Sequence, residues 1–168
     1  MFGILVVVIV FADQYTKFLV ASHVPLHSAV EIVPGYLDIV HTRNPGAAFG
    51  ILSGSQSTWR PAFFIVIACI AFLVILWLVL SPTDPGLVLL TGYGLFFGGA
   101  LGNFVDRIRF GGVLDYLDTH VGPYHWPAFN VADAALCVGT GLFFVYFLFR
   151  REPGRRDSMA ADSDTDSG

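Results

Sequence analysis

Four runs of about twenty apolar residues alternate with polar stretches along this chain, at approximately 2–21, 61–80, 86–105 and 131–150. A hydrocarbon core about 30 Å thick takes roughly 20 residues of helix. Each run is therefore long enough to span a bilayer, and together they predict a mainly α membrane protein built as a four-transmembrane-helix bundle. The first run has no basic residues before it and no A-x-A cleavage pattern, and it carries Asp13 and Lys17 inside it, so it reads as a retained helix rather than a secretory signal peptide. The second run contains no charge and reads as a packing and lipid-facing element. On the third, Gly94, Gly98 and Gly102 recur every four residues beside Gly99 and Ala100, the small-residue pattern that lets membrane helices approach closely.

The segment 23–60 is too polar, and too broken by Pro25, Pro34, Gly35, Pro45 and Gly46, to span a membrane. Within it AVEIV and YLDIVHT alternate apolar and polar residues on either side of Pro34-Gly35, which predicts a small β-hairpin on the membrane surface. HTRNPGAAFG (41–50) follows; its Asn44 either directs polar atoms into a site or serves as an ordinary turn residue. At the end of the third run stand Asn103, Asp106 and Arg107, where Arg107 and Arg109 can also snorkel to headgroups. The stretch from Leu114 to Asp133 reads as a polar, Pro-containing loop that turns into the fourth helix.

Composition agrees with this pattern: 55% of residues are hydrophobic, 13% are charged, and the mean hydropathy is +0.68, which is outside the usual range of a soluble domain. Residues 1–150 form one integral membrane domain. The net charge of −4 says little about partners, because Glu152, Asp157, Asp162, Asp164 and Asp166 all lie in the segment 151–168, expected to be a disordered tail. Arg150, Arg151, Arg155 and Arg156 follow the last span and mark that side as cytoplasmic. With four spans the N-terminus is cytoplasmic too, and the polar segments 22–60 and 106–130 face outward. Cys69 and Cys137 fall inside apolar runs and read as small buried hydrophobes.

Asp115 and Asp133 are the candidate chemistry. Asn130 has the position of an N-cap, and Asp133 three residues on faces the free amides of the helix start; a capping acid without chemistry is the plain alternative. Two carboxylates held together cannot easily both ionise, so one keeps a proton. The ionised member can take a proton from water while the other polarises a carbonyl, which is the logic of an aspartic peptidase. The helix dipole makes Asp133 the more readily ionised partner. Asp13 and Lys17, four apart on one face, read as an ion pair that neutralises itself.

Other chemistries fit less well. His23, His27, His41, His120 and His125 fall in loops without the spacing of a zinc helix, no G-x-S-x-G elbow is present, and nothing suggests nucleic-acid binding. A small transporter or proton relay using Asp13, Lys17, Asp106 and Asp133 is the competing class. It requires carboxylates that line one pathway near mid-membrane.

Five ordered motifs then carry a resemblance: DQYTK at 13–17, RNPGAAFG at 43–50, GGALGNFVDR at 98–107, VLDYLD at 113–118 and PAFNVAD at 127–133. Over roughly 2–150 the chain resembles bacterial lipoprotein signal peptidase, or signal peptidase II. The resemblance implies a four-helix aspartic endopeptidase of the cytoplasmic (inner) membrane with an outward-facing β-cradle and its active site near the outer face. It implies removal of the signal peptide from diacylglyceryl-modified prolipoproteins just before the lipidated cysteine, without metal or cofactor, by a monomer among membrane lipids, and inhibition by the cyclic peptide globomycin. Carried over by motif, Asp115 and Asp133 match the catalytic pair, and Asp13, Lys17, Asn44, Gly98, Asn103, Arg107 and Asn130 match supporting residues. Tyr116 stands where the family leads one to expect phenylalanine.

Overall fold

The computed structural model describes residues 1–45 and 86–149, together with the helical positions 66, 70, 73, 74, 76 and 77. The rest of the expected second span at 61–80, the 46–60 segment, Cys69 and the 150–168 tail lie outside the described residues. The elements run α1 (Phe2–His23), β1 (Ala29–Val33), β2 (Leu37–Asn44), α2 (Gly86–Phe110), β3 (Val113–Val121), β4 (Tyr124–His125) and α3 (Val131–Phe149). At 22, 25 and 19 residues, the three helices are all long and apolar enough to cross a membrane.

Glycines set how closely the helices pack. A methyl group on Gly98 would come 2.9 Å from Cβ of Ile9, and one on Gly102 would come 2.7 Å from the Asp13 carboxylate, so α2 lies directly on α1. One residue round the helix, a methyl on Gly99 would collide with the carbonyl oxygen of Ala132, so the same stretch seats the start of α3. Val6, Leu89, Tyr93 and Phe97 form the apolar core between these helices, with Phe143 packed against it. α2 continues five residues past the expected end at 105. It stops where Gly111, at φ 71°, donates its N–H to the Arg107 carbonyl, a helix end that favours glycine. Asp106 and Arg107 therefore belong to the helix body.

The expected hairpin is present: β1 and β2 are antiparallel, with Gly35 at φ 77° and Tyr36 N–H bonded to the Val33 carbonyl across Pro34-Gly35. It is only half of a four-stranded antiparallel sheet in the order β1-β2-β3-β4. The stretch read as a loop after 113 is strand β3, which pairs Thr42 with Asp115, Arg43 with Leu114 and Asn44 with Val113. β2 and β3 are neighbours in the sheet although all of α2 separates them in the chain. The histidines are likewise reassigned: His23 ends α1, and His41, His120 and His125 lie on strands.

The sheet docks on the end of the bundle formed by the C-termini of α1 and α2 and the N-terminus of α3. Val20 and Val24 pack there against Leu114 and Tyr116. The Tyr116 hydroxyl donates to Oγ1 of Thr16 at 2.8 Å, so the tyrosine adds a polar tie between sheet and helix that phenylalanine would lack.

Candidate active site

Asp133 and Asn130 cap one another at the start of α3. The Asp133 N–H donates to Oδ1 of Asn130 (2.9 Å), and the Asn130 N–H donates to Oδ2 of Asp133 (3.2 Å). This reciprocal arrangement satisfies amides that a helix start otherwise leaves without partners. The side-chain amide of Asn130 turns the other way, donating to Oδ1 of Asp115 at 2.8 Å and to the Leu114 carbonyl at 3.2 Å. One fully buried asparagine thus joins the strand that carries Asp115 to the helix that carries Asp133.

Two further asparagines complete the setting. Asn44, at the end of β2, donates to Oδ2 of Asp115 at 3.1 Å, and Asn103 of α2 donates to Oδ1 of Asp133 at 2.7 Å. Each carboxylate is therefore held through both oxygens by neutral donors. Burial, reinforced by the nearby Asp133 charge, pushes the Asp115 carboxyl up to about 6, although the Asn44 and Asn130 amides and Lys17 pull the other way. A carboxyl in that position keeps its proton closer to neutrality than an ordinary aspartate.

Asp115, Asp133, Asn44, Asn103 and Arg107 line a cavity of about 600 Å³ whose remaining wall is largely apolar, from Trp126, Phe129 and the α3 residues below Asp133. A mostly apolar cavity with a few convergent polar groups is the usual form of a substrate site. Cys137 is part of this wall and is exposed, not buried as its apolar run suggests, because it lies on the α3 face turned towards the cavity and away from the helix core.

The remaining expected residues stand apart from the cavity. Gly98 packs against Ile9 in the α1–α2 contact and does not line it. Asp13 and Lys17 are buried behind it, 2.8 Å apart, and Lys17 also contacts Asp106 at 2.9 Å and Oδ1 of Asn103 at 3.1 Å. The expected two-residue ion pair is thus a three-charge cluster.

Gln14 escaped the residue-by-residue reading, and Asp106 entered it as a functional candidate only as a member of the competing relay. Gln14 donates to Asp106 at 2.9 Å and to Asp13 at 3.2 Å. Both lie inside the quoted motifs, but spacing alone could not reveal that α1 and α2 bring them together.

The family model described as Signal peptidase (SPase) II matches residues 5–149. This chain belongs to the signal peptidase II family. Relatives include the lipoprotein signal peptidase of Nitratidesulfovibrio vulgaris (strain DP4), 46% identical over 90% of this chain and 91% of that protein. That of Desulforapulum autotrophicum is 41% identical over 87% of this chain and 90% of that protein. Among solved structures, a bacterial membrane enzyme determined by the in meso method at 2.3 Å superimposes with a TM-score of 0.78 at 32% identity, covering 92% of this chain and 94% of that one. As a signal peptidase II family member the protein is an aspartic-type membrane protease.

Proposed function

We propose that this signal peptidase II family member removes the signal peptide from diacylglyceryl-modified prolipoproteins, cleaving before the lipidated cysteine with Asp115 and Asp133 as the catalytic pair. The observation that carries the reading is the shared Asn130, which ties both carboxylates together at one cavity.

The chemistry follows from the two environments. Asp133, receiving the Asn103 amide and the Asn130 N–H at a helix N-terminus, is suited to act as the ionised base. It takes a proton from water as the water oxygen bonds to the scissile carbonyl carbon. Asp115, whose carboxyl is pushed up to about 6, donates a hydrogen bond or proton to the carbonyl oxygen as it becomes an oxyanion. When the tetrahedral intermediate collapses, the C–N bond breaks and the proton held on Asp133 passes to the leaving amine, while Asp115 regains its own. The Asp pair needs no metal or cofactor for these steps.

Placement supports the same reading. The dyad lies at the bundle end covered by the sheet, where a lipid-anchored substrate with a membrane-spanning signal helix would bring its scissile bond. The proposed arrangement has four transmembrane helices within residues 1–150, a cytoplasmic 151–168 tail, both termini cytoplasmic and the site near the outer face of the bacterial cytoplasmic membrane. The proposed enzyme acts as a monomer. A relay pathway is less favoured: Asp13, Lys17 and Asp106 are buried and engaged with one another, and only Asp133 of that set reaches the cavity.

The test is incubation of the purified protein with a diacylglyceryl-modified prolipoprotein beside folded Asp115→Asn and Asp133→Asn variants. Wild-type cleavage before the lipidated cysteine and loss in both variants is the expected result. An inactive wild type, or either variant cleaving at the normal rate, refutes it.

A further inference from the structure

We propose that Asp106 is a positioning residue which, with Asp13 and Lys17, forms a clamp that sets the two site aspartates relative to each other; the proposal rests on the peptidase reading above. The key geometry is a matched pair of backbone contacts. Asp13 accepts the N–H of Ala132 at 3.0 Å, and Asp106 accepts the N–H of Leu114 at 3.2 Å. Ala132 immediately precedes Asp133, and Leu114 immediately precedes Asp115. Each carboxylate therefore holds the backbone one residue before one member of the pair.

Lys17 joins the two grips. Its ammonium group has three N–H donors, and three acceptors surround it: Asp13 at 2.8 Å, Asp106 at 2.9 Å and Oδ1 of Asn103 at 3.1 Å. The third contact orients the Asn103 amide, because an ammonium can only face its oxygen. Asn130 donates to the same oxygen at 3.3 Å, which leaves the Asn103 nitrogen directed at Asp133. Asp106 thus reaches Asp115 through the strand backbone and Asp133 through Lys17 and Asn103.

Helix stability explains little of this arrangement. Asp106 lies in the last turns of α2 and is 2% exposed, so a carboxylate there carries a desolvation cost that an apolar residue would avoid. Two acids share one lysine, and the Gln14 amide, donating to both acids, offsets part of their repulsion without adding charge. Arg107, also within electrostatic reach of Asp106, Asp115 and Asp133, stands on the cavity side. Three donors converge on Asp106, from Lys17, Leu114 and Gln14, and an asparagine there has only one oxygen to offer them.

The experiment compares wild type, Asp106→Asn and Gln14→Met as purified full-length proteins, measuring kcat, KM and the pH dependence of kcat with a diacylglyceryl-modified prolipoprotein. Monodisperse elution and Tm report folding. Wild-type cleavage and an inert Asp115→Asn control must hold first, and their failure refutes the peptidase reading rather than the clamp. Asp106→Asn is expected to lower kcat by about 10- to 100-fold, the scale of a small misplacement of reacting groups, with KM changed less than about threefold. Its pH profile is expected to move to lower pH, because a negative charge near the pair has been removed. Folded Asp106→Asn with wild-type kcat, or with lost kcat and an unmoved pH profile, overturns the proposal. If Asp106→Asn does not fold, Gln14→Met decides: it leaves the charge but removes one donor, and lower kcat at unchanged KM is expected, whereas wild-type kcat overturns the clamp.

Discussion

Asn130 donates its buried side-chain amide to Asp115 over 2.8 Å while its backbone N–H is held by Asp133, so a single residue spans the aspartate pair. Asn130→Ala removes the side-chain half of the helix cap, a loss of about 1 kcal/mol in stability. It also leaves Oδ1 of Asp115 without its donor. The expected outcome is a modest drop in Tm with a loss of kcat of at least about 100-fold, far more than the stability change accounts for. Thermal unfolding and steady-state cleavage on the same preparation check it.

The Asp115 carboxyl stands at about 6 in the folded protein against an ordinary 3.8. Between those values the folded state retains a proton that the unfolded chain has lost, so stability falls as pH rises through this window and stays lower above it. Asp115→Asn removes that cost. Its Tm should exceed that of wild type above pH 6 and converge with it below about pH 4, as a series of unfolding curves will show.

The same proton bears on rate. If Asp115 must carry it, kcat/KM declines as pH rises through about 6 in the free enzyme. A profile flat across pH 5 to 8 in wild type contradicts the assignment of Asp115 as the proton holder.

Gly99 permits the approach of α2 to the backbone one residue before Asp133, where a methyl group meets the Ala132 carbonyl. Gly99→Ala is expected to cost about 1–3 kcal/mol through overpacking and to impair cleavage by shifting the first turn of α3. Gly141→Ala, a helical glycine of α3 that faces open space, is the control and leaves cleavage unchanged.

Tyr116→Phe tests whether the hydroxyl tie to Thr16 is structural. The expected change is a loss of about 1 kcal/mol in stability with kcat retained, read by unfolding and cleavage assays.

Much of the site was legible in the chain because it is written in local patterns. The Asn130–Asp133 cap is a four-residue signal, the β1–β2 turn follows from Pro34-Gly35, and the glycine repeat on α2 announces close helix contact. Strand β3 was harder to read. VLDYLDTHV is only half apolar, and it becomes a strand by pairing with β2, a partner on the far side of α2 in the chain. Cys137 failed for a related reason: residues in an apolar membrane run are not buried by composition, and which face meets the cavity is decided by packing.

What the sequence alone determined is the membrane class, the three apolar helices among the described residues, the capping of α3 and, through its ordered motifs, the family; it also singled out the two aspartates proposed as the catalytic pair. Only the tertiary structure decided that Asp13 and Asp106 share Lys17 and grip the residues before Asp133 and Asp115. Such contacts join α1, α2, β3 and α3, positions up to 119 residues apart, whereas periodicity and capping register only neighbours within a turn or a strand.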